Sequence, residues 1–107
     1  MIHLMDSTQA WMCWFTFDQA GNPAWICALG TISGDTIVFN EAFTVEGGMF
    51  PPLFDPSLIV EVPWGSITVT FTGCNSGEMV WMTTAAGFES GSMPLSRLTP
   101  LWGNSCP

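Results

Sequence analysis

Side chains able to serve as nucleophile, base or metal ligand are few and scattered in this sequence. It holds one histidine, His3, one arginine, Arg97, no lysine, four cysteines and nine carboxylates in 107 residues. Nucleophilic catalysis by Ser or Cys needs a base within hydrogen-bond reach. His3 lies in the terminal stretch where chains fray, so no Ser or Cys hydrolase is expected. Cys13, Cys27, Cys74 and Cys106 form no CxxC pair, and a zinc site would have to gather four scattered thiols. Neither a metal nor a cofactor is expected. If all four cysteines are oxidised, three pairings are open, and the simplest reading of Cys13 and Cys27 is as small buried apolar side chains.

Carboxylate chemistry, as in glycoside hydrolysis, requires two carboxyl groups converging on one bond. Most of the acidic residues fall at turn signals. Only Glu41 and Glu61 fall inside strand-like segments, where a carboxylate can point into a barrel, and the simpler role even for these is a solvent-facing or edge-protecting charge. Arg97 suits a structural bridge, its guanidinium fork holding a carboxylate such as Glu61 or Asp18 together with carbonyl oxygens. The sharper alternative is an anionic or carboxylate ligand. Six tryptophans and seven methionines can pack a core or line a pocket. A pocket would draw on Trp14, Trp25, Phe39, Trp81 and Met82, with Glu41 as its polar group, and would take a small apolar or cationic ligand through aromatic faces and soft sulfur atoms.

The elements that must position these residues read as strands. Turn signals recur at Asp6-Ser7, Gly21-Asn22-Pro23, Ser33-Gly34-Asp35, Gly47-Gly48, Pro51-Pro52, Gly65, Asn75-Ser76-Gly77 and Gly87, the spacing of short strands joined by hairpins. Between them lie 11–17, 24–32, 36–45, 58–62, 66–72 and 79–85, rich in Trp, Phe, Ile, Val and Thr and poor in the residues of exposed helix faces. The reading is a single all-β domain over 1–107, about seven antiparallel strands with no long helix. Its meander closes into a small barrel or, alternatively, folds as a two-layer sandwich. Gly47 to Pro56, with three prolines, is a long loop or a cap over one barrel end, pinned by Met49, Phe50 and Phe54.

In 66–72, Ser66, Thr68, Thr70 and Thr72 alternate with Ile67, Val69 and Phe71, one face wet and one buried. In 11–17 both faces are apolar: Trp11, Cys13 and Phe15 on one side, Met12 and Trp14 on the other. Such a strand should be covered on both sides, which points to a subunit contact or an inserted loop.

Composition supports that expectation. Apolar residues make up 48% of the chain and charged ones only 9%, against roughly 25% in ordinary soluble domains. A homo-oligomer, dimer or larger, follows. A formal net charge of −8 argues against nucleic acid and against an anionic membrane surface. It permits a cationic ligand or basic partner. No apolar run approaches the length of a membrane-spanning helix, and Met1 to Ser7 lacks the basic and apolar regions of a signal peptide.

The stretch Trp14-Phe15-Thr16-Phe17-Asp18-Gln19-Ala20-Gly21-Asn22-Pro23-Ala24-Trp25 resembles a motif of secreted bacterial proteins of unassigned function, W-[FY]-T-[FY]-D-x-x-G-x-P-x-W. Gly30, the segment Gly47 to Phe50, Phe71 to Cys74, Arg97-Leu98-Thr99 and Cys106 continue the pattern over about residues 11 to 106. The resemblance implies an extracytoplasmic β-rich domain and a Cys74–Cys106 disulfide, and no activity. Its members begin with an aromatic, Gly-rich strand ahead of the position of Met1, which this chain does not carry. An edge left without it is one that a second subunit could cover. Locally the motif is a folding device: Asp18 caps the turn, Gly21 supplies a positive φ, Pro23 ends the turn and Trp25 packs across the strands. The function expected is a non-enzymatic binding or interaction module that self-associates, the alternatives being a purely structural accessory domain and, further off, a carboxylate-based hydrolase.

Overall fold

The computed structural model describes residues 1–98. Thr99 and Cys106, and with them the Cys74–Cys106 pairing, lie outside the described residues. Seven strands follow one another: β1 (Ile2–Leu4), β2 (Gln9–Phe17), β3 (Pro23–Ser33), β4 (Thr36–Glu46), β5 (Val60–Gly73), β6 (Ser76–Thr83) and β7 (Gly91–Ser96). Each pairs antiparallel with its sequence neighbours in one sheet ordered β1 to β7. A short 3-10 turn at Pro56–Leu58 is the sole helical segment among the described residues. The fold is thus an all-β meander, and the sheet curls into a half-barrel. Among the described residues it does not join β1 to β7 through a ladder, and they form no second sheet to make a sandwich.

The turns form for reasons carried by their own residues. The Asp6 carboxylate accepts from the Thr8 and Gln9 backbone N–H groups at 2.7 and 2.8 Å, and Asp18 accepts from those of Ala20 and Asn22, both at 2.9 Å. Such Asx turns replace water on donors that the reversing chain leaves free. Between β3 and β4 the chain reverses over Gly34-Asp35, where Gly34 adopts φ +60°, a conformation glycine takes without steric cost.

Strand parity sorts the side chains to two sides of the sheet. The inner side carries Ala10, Met12, Ile26, Ala28, Ile37, Phe39, Ala42, Trp64, Ile67, Val69 and Met79, all buried. Curling is helped by irregularities that bend and twist strands: the register shifts between β3 and β4 past Cys27, and between β4 and β5 where Phe39 faces Ile67 but Ala42 faces Gly65.

Four expectations need correction. Gly65 is no turn: β5 runs through it, and 58–62 and 66–72 are parts of one strand. A Cβ at Gly65 would meet the Met82 carbonyl oxygen and Thr83, so glycine here lets neighbouring backbones approach at a bulge, a role a turn-forming glycine imitates in sequence. His3 is not frayed but pairs with Trp11 in β1. Cys13 and Cys27 are not separate thiols but a disulfide pair. Gly47 to Pro56 is a long loop and not a pinned cap: Met49, Phe50 and Phe54 all stand exposed, Phe50 by 89%.

One end of the trough is nonetheless filled. Trp14 of β2 packs on Trp81 of β6 at 5.0 Å between ring centroids and edge-on against Trp64 of β5 at 6.0 Å. Phe88 meets Trp64 at 5.6 Å. These rings join strands four apart in the sheet. The Trp81 indole N–H donates to the Glu89 carbonyl at 2.7 Å, while that of Trp64 is buried without a partner.

Candidate functional site

The outer side of β2 and β3 is where the sequence departs furthest from a half-wet sheet. From Gln9 to Phe17 and from Pro23 to Ser33 there is no charged side chain. The register sets Trp11 opposite Leu29, Cys13 opposite Cys27, Phe15 opposite Trp25 and Phe17 opposite Pro23. All of these point outward, because the residues between them fill the inner core. The 4.2 Å Cα separation of Cys13 and Cys27 marks this row as the close, non-hydrogen-bonded kind of antiparallel pair. The Phe15 and Trp25 rings meet edge to face at 5.5 Å. From β4, Phe43 faces Cys27 and its ring lies 6.1 Å from that of Trp11.

This stripe is open to water. Phe15 is 59%, Phe17 65% and Trp25 67% exposed, with Leu29 and Val45 also exposed. Scattered surface apolar residues are ordinary, whereas a contiguous patch with no charge in it signals contact with something else. Two shallow depressions adjoin it. One is lined by His3, Met5, Trp11 and Leu29, the other by Leu29, Asn40, Glu41, Phe43 and Glu61.

The second depression brings together the two carboxylates that the sequence marked. Asn40 and Glu41 occupy the β4 irregularity between Phe39 and Ala42, which turns both outward, and Glu61 arrives opposite Val45. The residues lining this dent add no Ser, Cys, His, Lys or Arg to the two carboxylates, and it lies open at the surface rather than inside the trough.

The pocket candidates do not converge. Phe39 is fully buried, and Trp14 and Trp81 pack ring against ring in the trough. Trp25 lies on the other side of the sheet with Glu41. Met82 projects outward from β6, 68% exposed. Arg97 follows β7 near the β5–β6 turn, its backbone N–H donating to the Asn75 carbonyl at 2.8 Å. It therefore sits at the opposite end of the sheet from Asp18 and Glu61. The sequence reading missed Trp11, Phe17, Leu29 and Phe43 as site residues. The signal was present in β3, where Trp25, Cys27 and Leu29 alternate with Ile26 and Ala28, as two-sided as β2.

The carboxylates of Asp6, Asp18 and Asp55 serve turns. The Asn22 backbone N–H is the main reason Asp18 titrates below its ordinary range, and the Thr8 N–H does the same for Asp6. The described residues contain no cluster of His, Cys, Asp and Glu able to hold a metal ion, and no helix among them is long and apolar enough to cross a membrane.

Comparison with protein-family models, with curated proteins and with solved structures finds no match to this chain.

Proposed function

We propose that this chain is a non-enzymatic interaction module that self-associates through the β2–β3 side of its sheet. One observation carries the reading: a contiguous stripe of Trp11, Phe15, Phe17, Trp25 and Leu29 around the Cys13–Cys27 bridge, largely open to water and without a charged side chain. Covering an aromatic side chain removes apolar area at roughly 25 cal/mol per Å², so a few such residues together supply the core of a standard interface. The acidic groups lie outside the stripe, at the turns and on β4 to β6, with Glu41 and Glu61 bordering it beside Leu29. Sedimentation equilibrium of the wild type and of a Trp25→Ser, Leu29→Ser double variant tests this. A wild-type dimer or larger assembly that the variant loses supports the reading; a monomeric wild type overturns it.

A second reading rests on Glu41 and Glu61 beside Phe43 in the open depression. Carboxylates flanking an aromatic ring suit a small organic cation. A monomer that retains a small cationic molecule through purification would favour it over self-association.

A further inference from the structure

The connection between β4 and β5 is shaped by its own hydrogen bonds and leaves its apolar side chains unused. The Leu53 N–H donates to the Phe50 carbonyl and the Leu58 N–H to the Asp55 carbonyl, both at 3.1 Å. The Asp55 carboxylate accepts from the Ser57 N–H and hydroxyl at 3.0 and 2.7 Å. Gly47, at φ +81°, lets the start of the loop close against the Leu58 carbonyl, where any Cβ would collide. A loop closed at its base in this way is a compact surface element. Yet it buries nothing. Every residue from 45 to 61 is exposed, with Met49, Phe50, Leu53, Phe54 and Leu58 among them. So many large apolar side chains, contiguous and open to water, mark a contact surface.

The charges around the loop select what it contacts. Glu46 ends β4 opposite Val60, and Glu61 stands opposite Val45. One register step apart, the two carboxylates project to opposite faces of the sheet, one on either side of the loop base. Glu41 joins Glu61 on the outer side. The chain has no lysine, and Arg97 lies at the other end of the sheet beside the β5–β6 turn. A second copy would bring the same carboxylates and meet like-charge repulsion here. Nucleic acid and anionic lipid are repelled in the same way.

We infer that the 47–59 loop and its flanking carboxylates are a docking surface for a basic amphipathic segment of another protein. Its lysines or arginines pair with Glu46 and Glu61, while its apolar side chains cover Phe50 and Leu53. Covering the apolar groups supplies affinity, and the charges set the orientation and speed of encounter. The surface belongs to β4, β5 and their connection rather than to the β2–β3 stripe, so the inference does not depend on self-association.

The test titrates the full chain into a labelled amphipathic helical peptide of leucine and lysine, read by fluorescence anisotropy. The inference predicts binding tighter than about 100 μM that falls at least about tenfold in Phe50→Ser with Leu53→Ser, and as far in Glu46→Gln with Glu61→Gln. Asp35→Asn with Glu78→Gln removes the same formal charge at the other end of the sheet, and should leave affinity within about twofold. A peptide of leucine and glutamate should not bind. Equal loss in the distant pair would reduce the effect to net charge and overturn the inference. So would an affinity indifferent to Phe50 and Leu53, or a leucine–lysine peptide that does not bind. Neutral phosphatidylcholine vesicles that hold the chain through Phe50 would assign the loop to a lipid surface and overturn it too. Amide chemical shifts of the wild type guard against a misfolded variant. The peptide should move those of 46–61; shifts centred on Phe15 and Trp25 would place it on the stripe and contradict the inference.

Discussion

Cys13 and Cys27 stand directly opposite each other in the β2–β3 ladder, their Cα atoms 4.2 Å apart, and the bridge between them lies in the middle of the outer stripe. Trp11 and Leu29 flank it on one side, Phe15 and Trp25 on the other. A bridge there fixes the register of two strands whose faces are both apolar. That matters because a slip of one residue would turn the stripe inward and the core outward, and side-chain polarity gives β2 and β3 little to oppose it.

Replacing both cysteines by alanine should therefore lower the unfolding free energy by about 2–3 kcal/mol, the range for a bridge closing a loop this short. Urea titrations of the variant, and of the wild type with and without reductant, measure it. A change under about 0.5 kcal/mol would show that the hairpin holds its register without the bridge.

The buried Trp64 indole N–H lacks a partner, which costs roughly 1–3 kcal/mol. Trp64→Phe deletes that donor while keeping contact with Trp14 and Phe88, so its cost should stay below about 1.5 kcal/mol. Trp64→Ala opens the trough and should cost about 3–5 kcal/mol. Thermal unfolding of the pair separates the two effects; equal losses would mean that the N–H is satisfied in solution.

Gly65→Ala should be among the most damaging single substitutions, at about 3 kcal/mol or more. Its Cβ would meet the Met82 carbonyl and Thr83 across the β5–β6 ladder, where both sides of the clash are backbone. Denaturant unfolding of Gly65→Ala beside Gly48→Ala, where a Cβ meets nothing, measures the difference. Similar values for the two would refute the bulge geometry.

Acid stability follows from the turns. The Asn22 N–H holds Asp18 below the ordinary carboxylate range, the Thr8 N–H does so for Asp6, and the Ser57 hydroxyl for Asp55. A carboxyl whose pKa falls on folding stabilises the folded chain fully above its unfolded value. That contribution is lost as pH falls through the lower folded value. Stability should decline below about pH 4, and Asp18→Asn should make that decline shallower. An unchanged acid limb in the variant would contradict the role given to Asp18.

The strands were legible where one side is wet. Ser66 to Thr72 alternates in sequence and lies in β5 with Ile67 and Val69 buried, as polarity dictates, although Phe71, placed on the same face, is exposed near the strand's end. Two apolar faces remove that signal. Trp14 and Trp25 look alike in sequence, yet Trp14 packs in the trough and Trp25 stands outside. The five-residue Asp18 to Asn22 turn sets Trp25 opposite Phe15 rather than Trp14, and strand polarity does not encode that register. Glu41 shows the same limit, since a strand irregularity rather than strict alternation turns it outward beside Glu61. The polarity pattern did carry the unusual demand of β2 for cover on both sides, which is the root of the functional reading.

That reading is tested most directly by native mass spectrometry of the full chain against its denatured mass. The account predicts a dimer or larger assembly with no added small mass. A monomer carrying a small molecule would contradict it and make the Glu41–Glu61 depression the site to pursue.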